Sequence, residues 1–180
     1  MNKMSQNPLN SVSSHFTNEK SKRIYTYIVM FIFSLLAAFT ILIILSKWGI
    51  GLSLDGIAYT SAARNILNGK GVAVLFDKTG TTALNLWRTS INNPDISVFN
   101  WPPFYPIILA IPGLFNMNLV IGATIINIIL FGLNVFLFGF IIYDFTKSFL
   151  LSITGSFVIL ISEVTIGIHT YAMSEPLFYP

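Results

Sequence analysis

Two short acidic motifs, with cations and aromatic residues between them, are the parts of this sequence equipped for chemistry. The first acid, Asp55, stands about ten residues beyond a long apolar run. It precedes Ile57-Ala58, Ala62 and Ile66-Leu67, which recur at helical spacing. A carboxylate held there can act as a general base or as a metal and substrate ligand. It also suits the N-cap of the helix it opens, a role worth about 1 kcal/mol, and the two roles are compatible. Arg64 and Lys70 follow on the same segment; either can neutralise a phosphate or contact lipid head groups. Tyr59, between them and Asp55, reads as an interfacial packing residue and is grouped with the candidate substrate-binding side chains. Trp101-Pro102-Pro103 and Tyr105 read as a helix start with an aromatic belt, or as a stiff wall of a site. In Ser174-Glu175-Pro176, Ser174 suits an N-cap, and Glu175 and Pro176 suit the first turn. An acid at a membrane boundary is costly unless it pairs or faces water, so Glu175 is a candidate supporting group. Asp77, Asp95 and Asp144 read as turn residues, and Glu163 and His169 as solvated loop residues.

The elements that must position these groups belong to a membrane protein. Of 180 residues, 54% are hydrophobic and 9% charged, against about 25% charged in a soluble domain. The mean hydropathy is +0.73. The expected fold class is all-α: polytopic membrane helices with an external loop carrying a short amphipathic helix. Residues 1–23, rich in Ser and Asn, read as a disordered tail ending in Lys20, Lys22 and Arg23. Residues 24–45 carry no charge, Pro or Gly and are long enough to span. They read as a retained signal anchor, its basic flank holding the N-terminus in the cytoplasm and the first loop outside, at the cell membrane. Further spans are expected near 104–116, 118–143 and 148–163, although Pro112-Gly113 interrupts the first of these and leaves it barely long enough. Asn127 and Asn134, seven residues apart on one helical face, are expected to face other helices.

The external loop, 47–102, is expected to hold the helix that starts at Asp55 and ends at Gly69 or Gly71, with an apolar face that can lie on the membrane surface. Residues 72–76 and 81–86 are expected to form a small hairpin around Asp77-Lys78-Thr79-Gly80. A helix that stops one turn past Ser174 is expected to be the start of a longer protein's next element.

Several function classes are disfavoured. No cysteine is present, so disulfides, zinc-thiolate sites and cysteine nucleophiles are out. His15 and His169 are too far apart to form a helical metal pair. There is no basic stripe with interleaved aromatics, so nucleic acid is not an expected partner. Nucleotide-binding glycine loops, serine elbows and metalloprotease signatures are missing.

Four stretches, in order, resemble a known layout: Leu54-Asp55-Gly56-Ile57-Ala58-Tyr59; Ala62-Ala63-Arg64-Asn65-Ile66-Leu67-Asn68-Gly69-Lys70-Gly71; Trp101-Pro102-Pro103-Phe104-Tyr105-Pro106; and Met173-Ser174-Glu175-Pro176-Leu177-Phe178. The chain resembles the N-terminal third of GT-C fold glycosyltransferases, similar to the protein mannosyltransferase and Rgt-like lipopolysaccharide glycosyltransferase groups. The resemblance implies transfer of a sugar from a polyprenyl-phosphate carrier to an acceptor glycan or protein on the outer membrane face. It also implies that Asp55 is the catalytic or acceptor-binding carboxylate, with Arg64 as the candidate cation for the departing phosphate. Some relatives carry an acid directly before the Pro-Pro pair; this sequence has Asn100-Trp101 there. No cofactor is implied, and the need for a divalent metal stays open. The competing readings are a transporter or flippase-like protein without catalysis, which would need polar residues at mid-membrane and a repeated topology, and a structural subunit that binds a partner through its loop. One topological question decides whether the two acids can meet. If 104–115 crosses, Glu175 lies on the side opposite Asp55; if it does not, or if 149–161 fails to cross, they share a side.

Overall fold

The computed structural model describes residues 8–74, 96–97 and 102–178. Its helices are α1 (Pro8–Trp48), α2 (Leu54–Leu67), α3 (Phe104–Leu114), α4 (Leu119–Thr146), α5 (Phe149–Ile161), α6 (Glu163–His169) and α7 (Glu175–Phe178). Two two-residue strands, β1 (Ala73–Val74) and β2 (Ile96–Ser97), pair antiparallel. Among the described residues the fold is otherwise all-α, with one isolated bridge between Gly51 and Tyr171.

Two helices are long and apolar enough to span a bilayer, Glu19–Trp48 within α1 and Leu119–Thr146. They lie antiparallel. Tyr27, in the first part of the Glu19–Trp48 stretch, meets Phe140 and Tyr143, near the end of α4, with ring centroids at 5.6 and 5.8 Å. Midway, Gly132 lets α4 approach α1 closely, since a β-carbon there would sit 2.9 Å from the Ser34 carbonyl oxygen. Ala37, Ile41 and Leu45 pack with Phe131, Val135 and Ile159 in a core that joins α1, α4 and α5. The outward faces carry exposed Phe31, Leu35, Phe39 and Ile129, as suits helices solvated by hydrocarbon.

A third stretch long enough to cross is made from two pieces. Helices α5 and α6 meet at Ser162 with a 59° bend and together have the length and hydropathy of a span. Ser162 is both the C-cap of α5 and the N-cap of α6, and its hydroxyl accepts from the Thr165 backbone N–H at 3.3 Å. The apolar helix in the region expected to span at 148–163 therefore ends at Ile161, and α6 carries the chain on to His169.

Four other expectations change. Helix α1 begins at Pro8, so the backbone of residues 8–22 is helical where a disordered tail was expected. Extending an existing helix avoids the cost of nucleating one, and the apolar run supplies the nucleus. The segment expected to span near 104–116 forms a helix too short to cross by itself. Helix α3 has 11 residues, roughly 16 Å of rise against a hydrocarbon core of about 30 Å. Its start touches α2 through Tyr105 and Tyr59, and its end lies beside Leu67 and Leu119 through Gly113; it runs along α2. The apolar face of α2 is covered by this helix and by Ala172, not left for the membrane surface. Finally, β1 pairs with Ile96–Ser97, not with the expected strand at 81–86, which lies outside the described residues. Two-residue strands carry too little pattern to select a partner from sequence.

Candidate functional site

The N-terminal turn of α2 is built by Ser53, whose side-chain oxygen accepts from the Gly56 N–H at 3.1 Å. The N-cap is thus Ser53 and not Asp55. A serine two residues earlier meets the geometric need, and Asp55 falls in the first turn instead, where the exposed N–H groups favour a negative charge. Asp55 is half-buried there. One turn on, Tyr59 is buried.

The chain returns to this turn from α6. Gly51 and Tyr171 form a parallel bridge: the Gly51 N–H donates to the Thr170 carbonyl at 2.8 Å, and the Ala172 N–H donates to the Gly51 carbonyl at 2.9 Å. Two glycines make the approach possible. A β-carbon on Gly51 would collide with the Tyr171 ring, and one on Gly56 would sit 2.6 Å from the Ala172 carbonyl oxygen. The docked strand delivers the second acidic motif. The Tyr59 hydroxyl donates to Ser174 Oγ at 2.9 Å, and Ser174 Oγ lies 3.5 Å from Glu175 Oε2. Tyr105 stands edge-on to Tyr59 with centroids 5.0 Å apart. Its hydroxyl is buried and has no hydrogen-bond partner among the described residues.

Electrostatics tie these groups together. Burial raises the Tyr59 phenol above its ordinary value near 10; the Ser174 hydrogen bond opposes this, and the Glu175 and Asp55 carboxylates push it up further. Tyr105 is raised by burial first, then by Tyr59 and Glu175. Both phenols are therefore protonated donors at neutral pH. Among the described residues no group of three His, Asp or Glu side chains is arranged to hold a metal ion.

Asp55, Tyr59, Tyr105 and Glu175 are brought to one end of the bundle, with Ser174 between them. Arg64 is not brought to this face. It lies nine residues after Asp55 on α2, half a turn out of phase, and is exposed. Lys70 lies beyond the end of α2, exposed, its N–H bonded to the Asn65 carbonyl at 2.9 Å. Trp101 lies outside the described residues.

Beneath the site, α4 holds the returning segment. Asn127 donates to the carbonyls of His169 and Tyr171 at 2.9 and 2.7 Å. Asn134 donates to the Pro176 carbonyl at 2.9 Å and lies 3.1 Å from His169 Nε2. His169 is fully buried, with Nδ1 2.7 Å from the Thr165 carbonyl and its ring 4.9 Å from that of Phe131. This corrects its reading as a solvated loop residue; Glu163 is exposed as expected. The break at Ser162 made the sequence look like a loop, whereas α6 restarts at once and carries His169 inward. A histidine six residues into a capped apolar segment was the available signal.

Comparison with family models, curated proteins and solved structures finds no match.

Proposed function

We propose that the chain forms part of a membrane glycosyltransferase that moves a sugar from a polyprenyl-phosphate carrier to an acceptor on the outer membrane face. The observation that supports this most is the Tyr59–Ser174 hydrogen bond. It ties the turn bearing Asp55 to the turn bearing Glu175, at the end of the bundle away from the Lys20–Arg23 cluster. With that basic cluster cytoplasmic, both carboxylates face the outer side. In this reading Asp55 accepts the proton of the acceptor hydroxyl as that oxygen attacks the anomeric carbon, and the carrier phosphate departs. Tyr59 and Ser174 fix the spacing of the two acids, and Glu175 orients the acceptor.

The transporter reading draws on the buried Asn127, Asn134 and His169. These groups bond mainly to the backbone of residues 165–176, so they hold that segment in place, which favours a structural role over a transport path. The test is transfer by the full-length gene product in its membrane, supplied with polyprenyl-phosphate sugars. Asp55→Asn should abolish transfer and leave insertion intact; full turnover in that variant would sink the assignment.

A further inference from the structure

The opposite end of the bundle carries a second feature, independent of the transferase reading. An open cleft of about 780 Å³ lies where α1 meets the end of α4 and the start of α5. Four cations line it, Lys20, Lys22 and Arg23 from α1 and Lys147 from the turn after α4. One acid, Glu19, lines it as well. Asp144 takes up part of the charge through its 2.7 Å ion pair with Lys147, which leaves a positive excess.

Fixed geometry brings the cations together. Lys147 adopts the left-handed conformation, φ 52°, that ends α4. Arg23 Nε donates to the Tyr27 hydroxyl at 2.8 Å, and its guanidinium carbon lies 5.4 Å from the centre of that ring. That bond engages Nε and not the two terminal guanidinium nitrogens, and the Asp144 carboxylate interacts with the same guanidinium through space. Three rings share the cleft, Tyr25, Tyr143 and Phe149, with Tyr25 and Phe149 in contact at 5.5 Å. Tyr25 is 59% exposed and Phe149 39%. Exposed aromatic rings and cations at the end of a span mark the depth of the head groups, and basic pockets between membrane helices suit lipid phosphates.

We infer that this cleft binds the phosphate of an anionic phospholipid, with Lys20, Lys22, Arg23 and Lys147 around the head group and the three rings against its glycerol and upper acyl chains. A soluble phosphate would meet the cations but not use the rings, which is why a membrane lipid is the occupant the cleft fits.

The test is native mass spectrometry of the chain in phosphatidylcholine nanodiscs titrated with phosphatidylglycerol. Each cation near a charged membrane contributes about 1 kcal/mol, or about fivefold in affinity. Lys22→Gln with Arg23→Gln should therefore weaken retention of phosphatidylglycerol about thirtyfold, with phosphatidylcholine unaffected. Because that pair also bears on orientation in the membrane, Glu19→Gln provides a second measure. It keeps every cation and should tighten retention up to about fivefold. Lys47→Gln, at the other end of α1, should change nothing. Unchanged retention in both cleft variants overturns the inference. Displacement of the lipid by glycerol phosphate at equal concentration overturns the lipid assignment, because it would show that the rings and acyl chains contribute nothing.

Discussion

Tyr59 and Tyr105 are neighbours of the same type in different circumstances. Tyr59 donates to Ser174; Tyr105 has a buried hydroxyl with no partner among the described residues. The two Phe substitutions should diverge. Tyr59→Phe removes a buried hydrogen bond and should cost about 1 kcal/mol, loosening the Ser174-Glu175 turn and lowering transfer. Tyr105→Phe removes an unsatisfied donor and should be neutral or stabilising by up to about 1–3 kcal/mol, read by denaturant titration in bicelles. A loss of transfer in the Tyr105 variant without loss of stability would show that its hydroxyl serves a substrate oxygen. Both phenols have folded-state values above the ordinary one. Their contribution to stability is therefore complete below about pH 10 and is lost as pH rises through the raised values. Unfolding followed from pH 8 to 11 should show this loss, and Tyr59→Phe should blunt it.

At the scale of elements, the docking of residues 170–172 on α2 depends on the absence of a side chain at Gly56. Gly56→Val should clash with the Ala172 backbone, cost about 1–3 kcal/mol, and release the second acidic motif. Increased cysteine labelling at a Ser174→Cys reporter, in a chain with no native cysteine, would register the release. How much of this was legible in sequence varied by element. The long spans were, because twenty apolar residues admit few alternatives. The inward aim of Asn127 and Asn134 was also legible, because a spacing of seven keeps both on one face. The fate of 104–115 was not, because a short apolar stretch broken by Pro112-Gly113 fits a span, a re-entrant piece or a covered surface helix equally. The Tyr59–Ser174 bond joins residues 115 positions apart, and no local pattern encodes that. Arg64 stood close to Asp55 in the sequence but half a turn away on the helix, a distinction that helical phase could have supplied.

For the whole molecule, α3 lies along α2 and is too short to cross a bilayer by itself. The bent pair α5–α6 brings the chain back to the end where α2 sits, so both acidic motifs stand at one end of the bundle. Single cysteines at exposed Lys70 and Glu175 should react with an impermeant reagent from one side of the membrane, and one at exposed Lys147 from the other. Labelling of the Glu175 and Lys147 positions from the same side would contradict this arrangement.

The pair Asn127 and Asn134 has a consequence for how the two faces of the molecule communicate. Two turns apart on α4, about 10 Å along its axis, they grip successive parts of the segment from His169 to Pro176. A slide of one residue or a modest rotation of α4 would break both grips together, so they act as a register pin with two teeth. The helix they pin reaches down to Lys147 at the basic cleft. Movement at that cleft would reach the carboxylates as a rigid shift, and Asn127→Leu and Asn134→Leu, each costing about 1–2 kcal/mol alone, should combine non-additively in a double-mutant cycle.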